Sequence, residues 1–459
     1  MLNLFPSSTY IARRNKLQQS ALTGKGIWIG HGEPPMNYTA NTYRFRQDSS
    51  FLYLFGLSLP DLVAVMDFDS GETILFGQDY TLDDIIWMGP QPSLFDLAAQ
   101  VGISDVRPIS QLSGNLKQAS QLHFTPPYRG ETWLKLMEWT GKHKADLHPS
   151  IELIQALVNL RSYKETVEID QMEKALTVTY HMHTAALGAI QPNRYEYEIV
   201  GEIMRQVHGH QAELAYPVIF STHGQTLHNH NHHLCMANHR LALLDAGAEV
   251  PHGYAGDITR TFPVSGKFST QAKSLYELVL HLEETAIQEA KPGTLYRDIH
   301  LQTNRRMLAG LTDLGIVSGP IEDMLDAGVA GLFMPHGLGH MIGLDVHDME
   351  DYGEQWVGYT EDLERSTQLG LKSLRLARAL EPGFTLTVEP GIYFIPELIQ
   401  KWKAEGMGRE FVRFDALEDW MDIGGIRIED NILITQEEAR ILGPRIPKTV
   451  EEIENWPKS

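Results

Sequence analysis

Four carboxylates and one imidazole, Asp245, Asp257, Glu389, Glu429 and His340, fall in the second half of this 459-residue chain. Each sits beside a segment that reads as a β-strand. Hard oxygen donors with a single imidazole suit a divalent ion such as Mn²⁺, and Zn²⁺ or Co²⁺ less exclusively. Five such side chains exceed the needs of one open catalytic ion. They suffice for two ions sharing bridging carboxylates, and a two-ion site hydrolyses bonds.

The elements that must carry these groups alternate in a telling way. In LALLDAG the strand ends at Asp245. In GDITRTFPV, Asp257, Thr259 and Thr261 share one face, with Ile258 and Phe262 on the other. Glu389 shares a face with Thr385 and Thr387, and precedes the abrupt strand end Pro390-Gly391. Arg427 lies two residues before Glu429 and points the same way, where a cation can orient a ligating carboxylate. A solvated strand face would also set one acid opposite Ile and Val. Several such strands in one chain suggest instead a curved sheet whose polar face lines a cavity.

MPHGLGHMIGLDVHD carries His336, His340 and His347. The first two have the i,i+4 spacing of a helical metal pair, but Gly337 and Gly339 disfavour a helix and no Glu follows His336. A glycine-rich loop feeding a strand is expected, with His340 on the metal and the other two facing substrate. THGQTLHNHNHHLCMANHR is rich in histidine. It reads either as an adventitious metal binder or as a polar rim in which one histidine matters. Cys235, the only cysteine, has no catalytic partner pattern and reads as structural.

The composition is that of a globular chain, 42% hydrophobic and 21% charged. A net charge of -21 leaves no basic excess to neutralise phosphates, so neither nucleic acid nor an anionic membrane is an expected partner. No apolar run approaches the roughly 18 residues of a membrane span. One cysteine excludes an internal disulfide. The first residues carry charges where a secretory signal needs an apolar core, and the cytoplasm is the expected compartment.

The length implies two domains. A helix should begin near Ser7, with Tyr10, Ile11 and Leu17 inward. Strands at 26–29, 62–67 and 73–76, followed by amphipathic stretches such as 133–139, suggest an α/β first domain. Helical patterning over 151–186 holds the boundary, taken as 1–160 and 161–459. A short helix is expected in PKTVEEIENW.

With LLDAGAEVPHGYAGDITRTFPVSGKF, MPHGLGHMIGLDVHD, LTVEPGIYF and GGIRIEDNILIT in this order, the chain resembles the aminopeptidase P and prolidase family of "pita-bread" metallopeptidases. The upstream YRFRQDSSFLYLFGL is similar to that family's N-terminal domain. The Asp245 to Asp257 interval is one residue longer than the family usually shows, an excess that Val250-Pro251-His252 should absorb in a turn. The resemblance implies an α/β N-terminal domain and an α+β C-terminal domain of curved antiparallel sheet backed by helices. It implies a di-metal centre, usually Mn²⁺, and a homodimer or higher homo-oligomer. The implied substrates are Xaa-Pro dipeptides or longer peptides that begin Xaa-Pro. Asp245 and Asp257 match ligands of one ion, Glu429 a shared ligand, and His340 and Glu389 ligands of the second. His228, His336 and His347 match histidines that hold substrate, and Glu389 also matches the general base.

Two readings of substrate length stay open. Trp87-Met88-Gly89 resembles a segment that closes over the active site, from the partner subunit, in prolidases of the eukaryotic type. The insertion between Glu389 and Glu429 also looks like theirs. Arg375, fourteen residues before Glu389, matches an arginine that grips a dipeptide's free carboxylate. These features lean towards an Xaa-Pro dipeptidase, with an Xaa-Pro aminopeptidase as the alternative. Some relatives of this fold bind partners or hydrolyse creatine without metal, but they have lost ligands that are all present here.

Overall fold

Short apolar strands separated by turns need several neighbours before they are stable. In the N-terminal unit Lys25–Ile29, Val63–Asp67 and Thr73–Gly77 pair antiparallel in that order. Asp105–Pro108 and Leu122–His123 close the two edges in parallel, giving a five-stranded mixed sheet with helices around it. The computed structural model describes residues 4–39 and 41–458.

The first helix spans Ser7–Gln18, and Tyr10 and Leu17 are buried as expected. Ile11 is not: it is 38% exposed, and Arg13 and Arg14 are buried in its stead. A helical face that holds residues 10 and 17 also holds 13 and 14, while 11 falls at its edge. The two guanidiniums donate to the Tyr53, Leu54 and Val101 carbonyls at 3.0, 2.8 and 2.6 Å. Tyr53 and Leu54 end the helix Ser49–Phe55, where unpaired carbonyls favour a cation.

The described residues divide into two compact units. One runs up to Arg161 and includes Glu350–Trp356; the other holds Ser162–Met349 and everything from Val357 onward. The expected single cut after residue 160 therefore misassigns residues 350–356. The reason is a tertiary contact: the Tyr352 hydroxyl bonds the Ser50 hydroxyl, which also accepts from Arg161 at 2.9 Å.

In the second unit Leu241–Ala246 lies between Ile219–Ser221 and Ile258–Pro263, all antiparallel. Thr385–Val388 pairs with Asp430–Ile434, and Gly391–Tyr393 with Gly425–Arg427. An isolated Thr259–Glu429 bridge stitches the two groups of strands together. The helices Thr166–Ala189, Glu196–Gly209, Thr270–Glu289 and Tyr296–Asp313 flank the strands. Met182, Ile199, Leu275 and Met307 of these helices share one core with Leu244, Phe262 and Ile428. Leu241–Ala246, Ile258–Pro263 and Thr385–Val388 are buried on both faces, so their polar faces are enclosed and not solvated. The terminal helix is short, Val450–Glu454.

A candidate metal centre

Asp245 stands opposite Thr259 in the antiparallel pair, and Thr259 stands opposite Glu429. That register places three ligand-bearing segments side by side. The turn between the two aspartates is closed by Val250 N–H to the Tyr254 carbonyl at 3.1 Å and Gly253 N–H to the Val250 carbonyl at 2.7 Å. The segment between Asp245 and Asp257 thus closes on itself in a turn at Val250–Tyr254. Asp257, His340 and Glu429 are buried, with one ligand atom from each within 4.8 Å of the others.

Asp257 turns one oxygen each way. Its Oδ2 lies 3.4 Å from His340 Nε2, and its Oδ1 accepts from the Tyr216 hydroxyl at 2.5 Å. The same hydroxyl lies 2.5 Å from Asp245 Oδ1. Its single proton serves one aspartate at a time. Glu389 Oε1 lies 3.8 Å from His340 Nε2. His340 Nδ1–H donates to the Met341 carbonyl at 3.0 Å, which leaves Nε2 as the nitrogen turned on the carboxylates.

The loop that carries His340 is held to the strand beside it. His340 N–H donates to Thr387 Oγ1 at 3.1 Å, and Thr387 N–H donates to the His340 carbonyl at 2.9 Å. The expected glycine-rich loop is present, but the strand it was to feed shrinks to one bridge, Met341 to Leu386. Thr259 Oγ1 donates to Glu429 Oε2 at 2.6 Å. Of the threonines that alternate with the acids, Thr259 thus supports an acid directly, and Thr387 supports the loop of His340.

Arg427 orients a carboxylate, but not that of its sequence neighbour. It donates to Asp245 Oδ2 at 2.5 Å, to Thr259 Oγ1 at 3.0 Å and to the Tyr393 hydroxyl at 2.9 Å. Tyr393 in turn meets His336 Nε2 at 2.9 Å, while His336 Nδ1 faces the Gly337 carbonyl at 2.7 Å. Both nitrogens of His336 are thus engaged. The His347 ring lies edge-on to His340, centroids 4.2 Å apart.

A cavity of about 580 Å³ collects these groups. His228, His336, His347 and Arg375 line it together with all five expected ligands. Its lining comes wholly from the second unit. Trp87, by contrast, belongs to the first unit, on the helix Leu82–Met88, where it is 86% exposed. Of the histidines in the histidine-rich stretch, His228 and His230 reach the lining, beside Leu227. His232 Nδ1 donates to the Phe220 carbonyl at 3.1 Å and holds the stretch along the strand Ile219–Ser221. Cys235 is exposed. Tyr216 and Tyr393 were missed by sequence reasoning, because a lone tyrosine near a proline or at a strand end carries no periodic signal.

The electrostatics fit a cation. Burial and the neighbouring acids push Glu429 well above the carboxylate range. Burial raises Glu389 to about 7 and, despite Arg427, Asp245 to about 6. Burial also opposes charge on Asp257, but the His340 hydrogen bond and charge outweigh it and hold that carboxyl low. Acids crowded so closely favour a divalent ion that can be shared among them. Burial lowers His336 to about 3 and His347 to about 2, so both are neutral at ordinary pH.

Residues 170–436 match Metallopeptidase family M24, and residues 10–124 match the aminopeptidase P N-terminal domain. The chain belongs to metallopeptidase family M24. It is 30% identical to the Xaa-Pro dipeptidase of Homo sapiens over 457 residues, 97% of this chain and 91% of that one. It is 32% identical to a probable Xaa-Pro aminopeptidase of Fusarium vanettenii, covering 89% and 87%. Among solved structures it resembles a Pseudomonas aeruginosa aminopeptidase, with TM-score 0.82 and 27% identity over 99% of this chain and 98% of that one. Aminopeptidase P from Escherichia coli with the inhibitor Pro-Leu gives TM-score 0.80 and 28% identity, covering 98% of each chain. The family assignment made from the motifs is the right one. So is the fold, an α/β N-terminal unit and a pita-bread catalytic unit. Among the described residues no helix is long and apolar enough to cross a membrane.

Proposed function

We propose that this M24 member hydrolyses the bond between an N-terminal residue and a following proline, with Xaa-Pro dipeptides as its main substrates. Relatives named for Xaa-Pro substrates at 30% identity and above support the coarse reading. The observation that carries the finer one is Arg375, a half-buried guanidinium in the wall of the cavity that holds the acids. A dipeptide's carboxylate ends just beyond proline, within reach of such a clamp. The aminopeptidase reading rests on the two bacterial aminopeptidase structures whose fold the chain shares.

Asp245, Asp257, His340, Glu389 and Glu429 would hold two divalent ions, Mn²⁺ by the hardness of the donors, with Zn²⁺ or Co²⁺ as alternatives. We assign Asp245 to one ion and His340 and Glu389 to the other. As the resemblance has it, Asp257 would join Asp245 and Glu429 would be the shared ligand. When bound, such a pair lowers the pKa of water to give a nucleophile at neutral pH and steadies charge on the attacked carbonyl.

The chain's own groups do the rest. Glu389 accepts the proton of the attacking water and hands it to the proline nitrogen, which is tertiary and leaves poorly without one. His228 and His347, both held below the ordinary imidazole range by burial first of all, act as neutral N–H donors to the carbonyl oxygen and then to the tetrahedral oxygen. His336 offers substrate its ring, since Gly337 and Tyr393 engage its nitrogens. Trp87 closes the site from a partner subunit in a homodimer or larger oligomer. The exposed Leu82 and Ile86 beside it support that contact. We place the protein in the cytoplasm on its single, exposed cysteine.

The test is Arg375→Ala assayed on Ala-Pro and Ala-Pro-Ala. The charged hydrogen bonds at stake are worth roughly 1.5–3 kcal/mol, about 10- to 100-fold. KM for Ala-Pro should rise by that factor and KM for Ala-Pro-Ala far less. Equal small effects on both would make the chain an Xaa-Pro aminopeptidase.

A further inference from the structure

Behind Glu429, on the side away from the cavity lining, two cations and two acids are buried together. Arg260 spends its guanidinium almost entirely on the ligand strands and the tail. Its Nη1 donates to the carbonyls of Glu429 at 2.7 Å and Thr259 at 2.9 Å. Its Nη2 donates to Asp430 Oδ1 at 2.7 Å and to the Ile446 carbonyl at 3.3 Å. Its Nε donates to the Pro447 carbonyl at 3.2 Å. Lys448 Nζ grips Asp430 Oδ2 at 2.7 Å and both oxygens of Glu283, at 2.9 and 2.8 Å. The Tyr276 hydroxyl holds the Lys448 carbonyl at 2.7 Å. All four charged side chains are buried.

The network does not touch the cavity; none of its four charged members lines it. Its reach is through backbone. Arg260 fixes the carbonyl of Glu429 and that of Thr259, the residue whose hydroxyl holds Glu429 Oε2. Asp430, next in the chain to Glu429, is held from both sides. The anchoring carbonyls and Lys448 come from residues 446–448, beyond the 170–436 span that matches the family. A Thr449–Glu452 capping box then secures this tail as a helix start.

We propose that the C-terminal segment 446–448 is part of the metal centre: with Arg260, Asp430 and Glu283 it forms a buried clamp that sets the position of Glu429. Arg260 and Lys448 are positioning residues, and the assignment rests on the reading of Glu429 as a ligand. Partners behind a metal ligand typically govern 10- to 100-fold in metal affinity. Balanced charges matter for the design of the test. Removing Lys448 alone would strand the buried Glu283 carboxylate and leave Asp430 to Arg260 alone, a destabilising change.

The test uses the full chain, stripped of metal and titrated calorimetrically with Mn²⁺. The double variant Lys448→Met with Glu283→Gln removes the tail's grip on Asp430, leaves that of Arg260, and keeps the charges balanced. It should keep its circular dichroism and melting transition and bind Mn²⁺ about tenfold or more weakly. Lys448→Arg, which keeps the charge, should restore most of the affinity. Glu429→Ala is the control. If it weakens Mn²⁺ binding and the double variant does not, the clamp is wrong. If Glu429→Ala leaves Mn²⁺ binding intact, the ligand reading itself fails and the clamp with it. A double variant that stays unfolded in the cold with excess Mn²⁺ also overturns the proposal, because the network would then serve folding and not the ligand's position.

Discussion

In the proposed mechanism Glu389 has two tasks that pull against each other: to hold an ion, and to accept and return a proton. Its surroundings suit both. Burial raises its carboxyl to about 7, while the imidazole of His340 lies 3.8 Å away. Glu389→Gln should therefore fold normally by circular dichroism yet lose about 100-fold or more in kcat on Ala-Pro, the usual contribution of a general acid–base group. More than a tenth of the wild-type rate would remove it from that role. That these five side chains belong together was legible because each is an acid or histidine at an apolar strand or a glycine-rich loop, and one cavity collects them. Arg427 was legible as a cation near a ligand, but its target was not. Spacing put it beside Glu429, whereas strand pairing hands it Asp245. Tyr216 has no sequence signal because its role exists only where Asp245 and Asp257 meet.

At the scale of elements, glycines set how closely the ligand-bearing segments approach. A Cβ on Gly339 would lie 2.0 Å from the Thr387 carbonyl oxygen, against the strand that leads to Glu389. A Cβ on Gly247 would lie 1.7 Å from the Gly256 carbonyl oxygen, between the two aspartates. Neither contact can be relieved without moving backbone. Gly339→Ala should push the His340 loop off its strand and break the pairing with Thr387. The expected result is lower bound Mn²⁺ per chain, measured by elemental analysis, together with a lower melting temperature. Full metal content would show that the loop tolerates displacement. The strands themselves were readable from their alternation. Their pairing was not, because the Thr259–Glu429 bridge joins residues 170 positions apart by fold alone. The first helix shows the opposite limit. Hydrophobicity pointed Ile11 inward, and two arginines seeking helix-end carbonyls took the buried face.

Two buried histidines should each take stability from the molecule in mild acid, against the gain from the buried acids, Glu389 and Asp245 among them, whose carboxyls burial raises. His183 and His300 are fully buried, and burial lowers them to about 3 and about 4. Unfolded, each titrates near 6.5. Above that pH both states are neutral and nothing changes. Below it the unfolded chain takes up protons that the folded chain refuses, so stability is lost as pH falls from about 6.5 towards 4. Each histidine contributes about 1.4 kcal/mol per pH unit. Chemical denaturation at pH 7 and pH 5.5 should show that wild type loses more stability on acidification, or gains less, than His300→Gln; the same change in both would count against the buried neutral ring. Two domains were expected from length, and the boundary region from helical patterning. The return of residues 350–356 to the first unit depends on tertiary contacts no local pattern encodes. The proposed activity is that of a metal-dependent peptidase whose substrate is an Xaa-Pro dipeptide, and a comparison of two substrates tests it most directly. Initial rates of the Mn²⁺-loaded protein on Ala-Pro and Ala-Pro-Ala should show Ala-Pro cleaved faster, and no cleavage after chelation. Rapid cleavage of Ala-Pro-Ala with Ala-Pro left intact would contradict the dipeptidase assignment, and cleavage of neither would contradict the whole account.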